Sequence, residues 1–129
     1  MAIAIDRIDH IVLTVFDLER TIDFYSRVLG MEPVTFAGGR SGLAFGRQKF
    51  NLHQAGREFE PKALNPAPGA IDLCLVTETP LAQVIDELRS HGIAIIQGPV
   101  DKTGALGPMK SVYFRDPDGN LIEVSRYPG

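Results

Sequence analysis

The sequence predicts an α+β fold built from two βαβββ modules, and three observations carry that prediction. The order strand, helix, strand, strand, strand is legible twice along the 129 residues. The 20-residue spacing from His10 to Gly30 recurs from Asp72 to Gly92. Between the copies, the segment 58–69 holds Pro61, Pro66 and Pro68 with no hydrophobic period, as a linker does. A repeat on this scale sets the organisation of the whole chain. The expected layout is a single domain over 1–129, with module 1 at about 5–57, the linker at 58–69 and module 2 at about 70–127.

Module 1 opens on Ile8–Val15, where Ile11, Leu13 and Val15 share one face and His10, Val12 and Thr14 the other, the period of a half-buried strand. Asp17 is placed to cap a helix, because its carboxylate accepts the free N–H groups of a first turn. Leu18, Ile22, Tyr25 and Leu29 recur at helical spacing, and Gly30 is the expected stop. Met31–Phe36, Ser41–Phe45 and Lys49–Gln54 read as strands. In the last of these, Asn51 and His53 lie opposite Phe50 and Leu52.

Module 2 repeats the plan. Ala70–Val76 sets Asp72 and Cys74 on one face and Ile71, Leu73 and Leu75 on the other. Thr79 is the expected N-cap, with Pro80 at the first helical position, and Leu81, Val84, Ile85 and Leu88 form the apolar stripe. Ile93–Ile96 is a strand, and Gly98–Pro108 reads as a Gly/Pro-rich loop. Asn51 and Glu123 stand 72 apart where the repeat predicts 62, so about ten residues are inserted in module 2, and that loop is their expected place. The chain ends on Ser111–Ser125, in which two alternating runs flank the turn residues Asp116–Asn120.

Composition narrows the function. A net charge of −3 without a Lys/Arg cluster argues against a nucleic-acid footprint. No apolar run reaches the roughly 20 residues that span a bilayer, and no signal peptide is visible in MAIAIDRIDH. One cysteine fits a reducing compartment, so a cytoplasmic protein is expected.

Glu123 is a carboxylate between apolar neighbours and needs a cation or a donor. If the two modules curve around one hollow, His10, Asn51 or His53, Asp72 and Glu123 converge there. Such nitrogen and oxygen donors suit Mn, Fe, Co, Ni or Zn as a divalent ion. Each residue also has a plainer reading. A strand histidine is commonly a hydrogen-bonded structural residue, Asp72 can pair with Arg115, and Cys74 reads as a small packed residue.

Two stretches, HIVLTVFDLERTIDFYSRVLGM (10–31) and FRDPDGNLIEV (114–124), together resemble the vicinal oxygen chelate superfamily, the glyoxalase/bleomycin-resistance/extradiol-dioxygenase group. Within it, NLHQAGREFEPKA and the segment after Pro68 are most like the glyoxalase domain-containing protein 5 type of sequence. The resemblance covers essentially the whole chain. It implies that the modules form a cupped mixed sheet around a metal, with one ligand on the first and last strand of each module. By position His10 matches the first ligand and Glu123 the last. Asp72 stands where the family usually has His, and Asn51 where glyoxalase I enzymes have Glu, with His53 two residues on.

The implied function is a metal-dependent lyase, isomerase or dioxygenase acting on a small oxygen-rich substrate. His10, Asp72, Glu123 and His53 are its metal ligands, with Asn51 or water as alternatives in the fourth place, and Glu123 and His53 are its catalytic groups. Tyr113, Arg115 and Asn51 contact the substrate, Gly98–Pro108 closes over it as a lid, and the protein is a homodimer. The competing function is metal-free sequestration of a small molecule by a dimer, as in the bleomycin-resistance branch.

Overall fold

The repeat is present as two compact units, residues 1–67 and 68–129, in a computed structural model that describes residues 2–129. In the first unit β1 (His10–Val15), α1 (Leu18–Arg27), β2 (Glu32–Phe36), β3 (Arg40–Phe45) and β4 (Gln48–Gln54) follow one another. The strands form one sheet in the order β1-β4-β3-β2, with β1 parallel to β4 and the other pairs antiparallel. The second unit holds β5 (Asp72–Val76), α2 (Leu81–Ser90), β6 (Ile95–Gly104), β7 (Gly107–Arg115) and β8 (Leu121–Arg126). Its order, β5-β8-β7-β6, has the same pattern of parallel and antiparallel neighbours.

Each unit buries one face of its sheet against its helix. In the first, Leu13, Val15, Leu43, Phe50 and Leu52 are buried with Phe24 and Tyr25 of α1. The Tyr25 ring meets Phe50 edge-on at 5.4 Å, and Phe45 meets Phe50 at 4.9 Å, arrangements that add to plain area burial. In the second, Val112, Phe114, Ile122 and Val124 are buried with Ile85 and Leu88 of α2. The opposite, helix-free faces carry the polar alternates of the strands, including every candidate ligand.

The helix boundaries follow from local chemistry. Asp17 caps α1 as expected, its Oδ1 accepting from the Arg20 N–H at 3.1 Å. The α2 cap differs from expectation. Pro80 occupies the N-cap in an extended conformation, with no side chain satisfying the first turn. Thr79 stands one residue too early, and the Thr77 hydroxyl accepts from its backbone N–H instead.

The larger correction concerns 98–108. It is not a loop: β6 runs through Gly104 and β7 begins at Gly107, so all but the tip is a paired hairpin. Gly98 and Pro99 mark a bulge where the register shifts between Gln97 and Val100. Gly98 has φ +126°, and a Cβ there would meet the Ser111 carbonyl oxygen at 2.7 Å. Its glycine answers a strained backbone and a close strand approach, and a lid hinged there has no free segment to move. The β6–β7 hairpin, 95–115, is seven residues longer than the β2–β3 hairpin, 32–45, which accounts for most of the expected insertion.

Candidate functional site

Register makes the two helix-free faces comparable position by position. In the first unit His10 pairs with Lys49, Val12 with Asn51, and Asn51 with Gly42. In the second Asp72 pairs with Leu121, Cys74 with Glu123, and Glu123 with Tyr113. His10 therefore corresponds to Asp72, and Asn51 to Glu123. Each unit offers one donor at the start of its first strand and one at the third residue-pair, on the neighbouring strand.

In the second unit this face carries a connected polar group. Ser125 Oγ donates to Glu123 Oε2 at 3.2 Å, stands 2.6 Å from Ser111 Oγ, and lies 3.1 Å from Cys74 Sγ. Ser111 and Ser125 are fully buried and sit opposite each other in the ladder. Burial first, and then the neighbouring Glu123 carboxylate, push the Tyr113 phenol up to about 12. It stays protonated at neutral pH. Cys74 is exposed on edge strand β5, yet partial desolvation, aided by the charge of Glu123, raises its thiol above the usual range. A raised thiol is a poor nucleophile. Glu123 thus has a donor of the kind its sequence position demanded, the Ser125 hydroxyl, while Arg115 is turned to the Gly119 carbonyl at 3.3 Å and does not pair with Asp72. Asp72 is exposed.

The first unit is organised differently. His10 is half-exposed, with Nδ1 2.8 Å from Asp9 Oδ1, a hydrogen bond that holds the Asp9 carboxyl below its usual range. A carboxylate on one ring nitrogen is the arrangement that orients a metal-binding imidazole and leaves Nε2 for the ligand bond. Asn51 Oδ1 is buried and has no hydrogen-bond partner among the described residues. An unsatisfied buried acceptor costs about 1–3 kcal/mol, so it calls for a donor or cation from outside.

His53 lies on the same face but four residues along β4 from the partner of His10. At about 3.3 Å per residue that is roughly 13 Å, too far for one ion to take both rings. The His53 ring is also buried, packed edge-on at 5.5 Å against Phe59, over which the Arg40 guanidinium sits at 4.1 Å. Burial is the main cause lowering its pKa, so the ring is neutral at pH 7. Among the described residues no three His, Cys, Asp or Glu side chains gather into a metal cage.

Two features escaped the sequence reading. The Ser111–Ser125 pair was visible only as face parity with Glu123, and nothing in the sequence gave the register that puts the two hydroxyls opposite. Lys49, whose ammonium lies 3.5 Å from the centre of the Phe36 ring on the His10 side of the first sheet, gave no signal beyond its alternation.

Residues 7–124 match the model of the Glyoxalase/Bleomycin resistance protein/Dioxygenase superfamily. A virulence protein of Salmonella typhimurium strain LT2 is 58% identical over 123 residues, covering 95% of this chain and 85% of that protein. A glyoxalase domain-containing protein of Mycosarcoma maydis is 54% identical over 125 residues, covering 97% and 70%. Among solved structures, an integron cassette protein from the mobile metagenome of V. cholerae superposes with a TM-score of 0.97 at 52% identity, over 99% of this chain and 100% of that one. No helix among the described residues is long and apolar enough to cross a membrane.

Proposed function

Because the chain belongs to the glyoxalase/bleomycin resistance/dioxygenase superfamily, we propose that it is a divalent-metal-dependent enzyme acting on a small, oxygen-rich molecule. The observation that carries the reading is the repeated placement of donors: His10 and Asn51 in one unit, Asp72 and Glu123 at the corresponding positions of the other. The His10 imidazole, the Asp72 and Glu123 carboxylates and the otherwise unsatisfied Asn51 carbonyl oxygen would hold the ion. This is a nitrogen and oxygen donor set suited to Mn, Fe, Co, Ni or Zn. Asn51 takes the fourth place in preference to His53, whose register and burial count against it.

When bound, the ion supplies a Lewis acid that polarises a substrate carbonyl, epoxide or phenol oxygen. The chain supplies the rest. Glu123, oriented by Ser125 and Tyr113, accepts a proton from the substrate. Tyr113, kept protonated beside the carboxylate, offers its one O–H to a substrate oxygen once Glu123 has taken the proton. Asp9 fixes the His10 ring. Each sheet ends on an edge strand that a second copy can cover, in keeping with a homodimer.

The test is Glu123→Gln, assayed against 2-oxoaldehydes with thiol, epoxides and catechols after loading with each of the five metals. The proposal requires turnover of at least one substrate class by the wild type, reduced at least a hundredfold in the variant. A wild type that binds a member of the panel without turning it over, and a variant that binds it equally well, would instead establish sequestration.

A further inference from the structure

The second unit contains a cavity of about 310 Å³ that takes no part in the chemistry above. Its walls are Leu81 at the start of α2, Pro108 and Met109 of β7, and the terminal Tyr127 and Pro128. They are mostly apolar, and the volume falls in the range of small-molecule sites. The wall is held by specific contacts. The Leu106 N–H donates to the Tyr127 hydroxyl at 3.1 Å, tying the chain end to the hairpin tip. A Cβ at Gly104 would meet that hydroxyl and Met109 Sδ, so the tail packs closely over the hairpin there.

The charges at the cavity do not balance. Lys110 and Arg126 are directly opposite in the β7–β8 ladder, and like charges so placed repel. Asp101 is the single acid lining the cavity, and it is taken by Lys110, with Nζ to Oδ1 at 2.6 Å. Arg126 is fixed through Nε, which donates to the Glu78 carbonyl at 3.0 Å, leaving its terminal nitrogens for another acceptor. A carboxylate there would offset the excess positive charge and match the guanidinium fork.

We propose that this cavity is a second binding site, taking small monocarboxylates with a flat or branched apolar body. The apolar part lies between Leu81, Met109 and Pro128, and the carboxylate meets Arg126.

Titration of the full-length protein with benzoate, followed by amide chemical shifts, tests the assignment, with benzamide as the neutral isostere. Saturable shifts at Lys110, Arg126 and Tyr127 are expected, with benzamide at least tenfold weaker. Arg126→Gln should weaken benzoate at least tenfold while leaving benzamide unchanged, and Leu81→Trp, which fills the cavity, should weaken both. Glu123→Gln should leave benzoate binding unaltered. Equal affinity for benzoate and benzamide, full affinity in Arg126→Gln, no saturable shift, or loss of binding in Glu123→Gln would each overturn it.

Discussion

The two units share a strand order and a register, yet they treat the same ladder positions in opposite ways. Around Glu123 the second unit supplies Tyr113, Ser125 and, through Ser125, Ser111, so the carboxylate is held from its own sheet. Around Asn51 the first unit supplies Gly42 and Val12, neither of which offers a side-chain hydrogen bond, and the carbonyl oxygen is left without a partner. A duplicated scaffold fixes where side chains stand, and later substitution decides which copy is self-sufficient. Here the second copy holds its carboxylate from its own sheet, and the first leaves a buried acceptor for an outside group to satisfy.

Substitutions at equivalent positions probe this difference between the units. The largest effect is expected in the two cores, which the repeat makes equivalent. Phe50→Ala and Phe114→Ala should each cost about 3–5 kcal/mol in urea unfolding, since both rings are almost wholly buried. A cost confined to one of them would mean that the two cores are not equivalent.

Next comes the turn found only in the second unit. Asp116 accepts from the Asp118 and Asn120 N–H groups and from the Asn120 side chain, at 2.8–2.9 Å. Asp116→Ala should cost about 2–3 kcal/mol, because buried donors lose a charged acceptor. The corresponding turn of the first unit has only Gly46 and Arg47, and Arg47→Ala should leave stability within about 0.5 kcal/mol of wild type by the same measurement.

The helix starts differ less. Asp17→Ala removes a real cap and should cost about 1 kcal/mol, whereas Thr79→Ala removes none and should be close to neutral in the same unfolding experiment.

The smallest effect is a change of slope with pH. Burial keeps the folded pKa of His53 below its ordinary value of 6.5. As pH falls through that value the unfolded chain takes up the proton first. The stability contributed by the neutral ring is therefore present above about pH 6.5 and is lost as pH drops toward the folded pKa. Between about pH 5 and 7 the stability profile of His53→Gln should be flatter than that of wild type.

Much of this was legible in the sequence, for reasons the particular elements make plain. Leu13, Phe50, Val112 and Val124 announce their faces by alternation, and Asp17 announces its cap, because both signals are local. The hairpin 95–115 was misread because Gly98 and Pro99 look the same in a bulge as in a loop. What distinguishes them is the approach of Ser111, thirteen residues away. Glu123 showed that it needed partners, but cross-strand register decides which residues those are, and register belongs to the sheet. His53 looked as good a candidate as His10 until the β1–β4 pairing put it four residues along the strand and Phe59 covered it.

We propose that the chain takes up a metal ion and needs both His10 and Glu123 to keep it. The direct measurement is metal content by elemental analysis after purification without chelator and reloading with Mn, Fe, Co, Ni and Zn, on wild type, His10→Ala, Glu123→Gln and His53→Gln. Close to one ion per chain is expected in the wild type and in His53→Gln, with loss in the other two. A wild type that takes up none of the five metals, or a His10→Ala variant that keeps its ion, would contradict it.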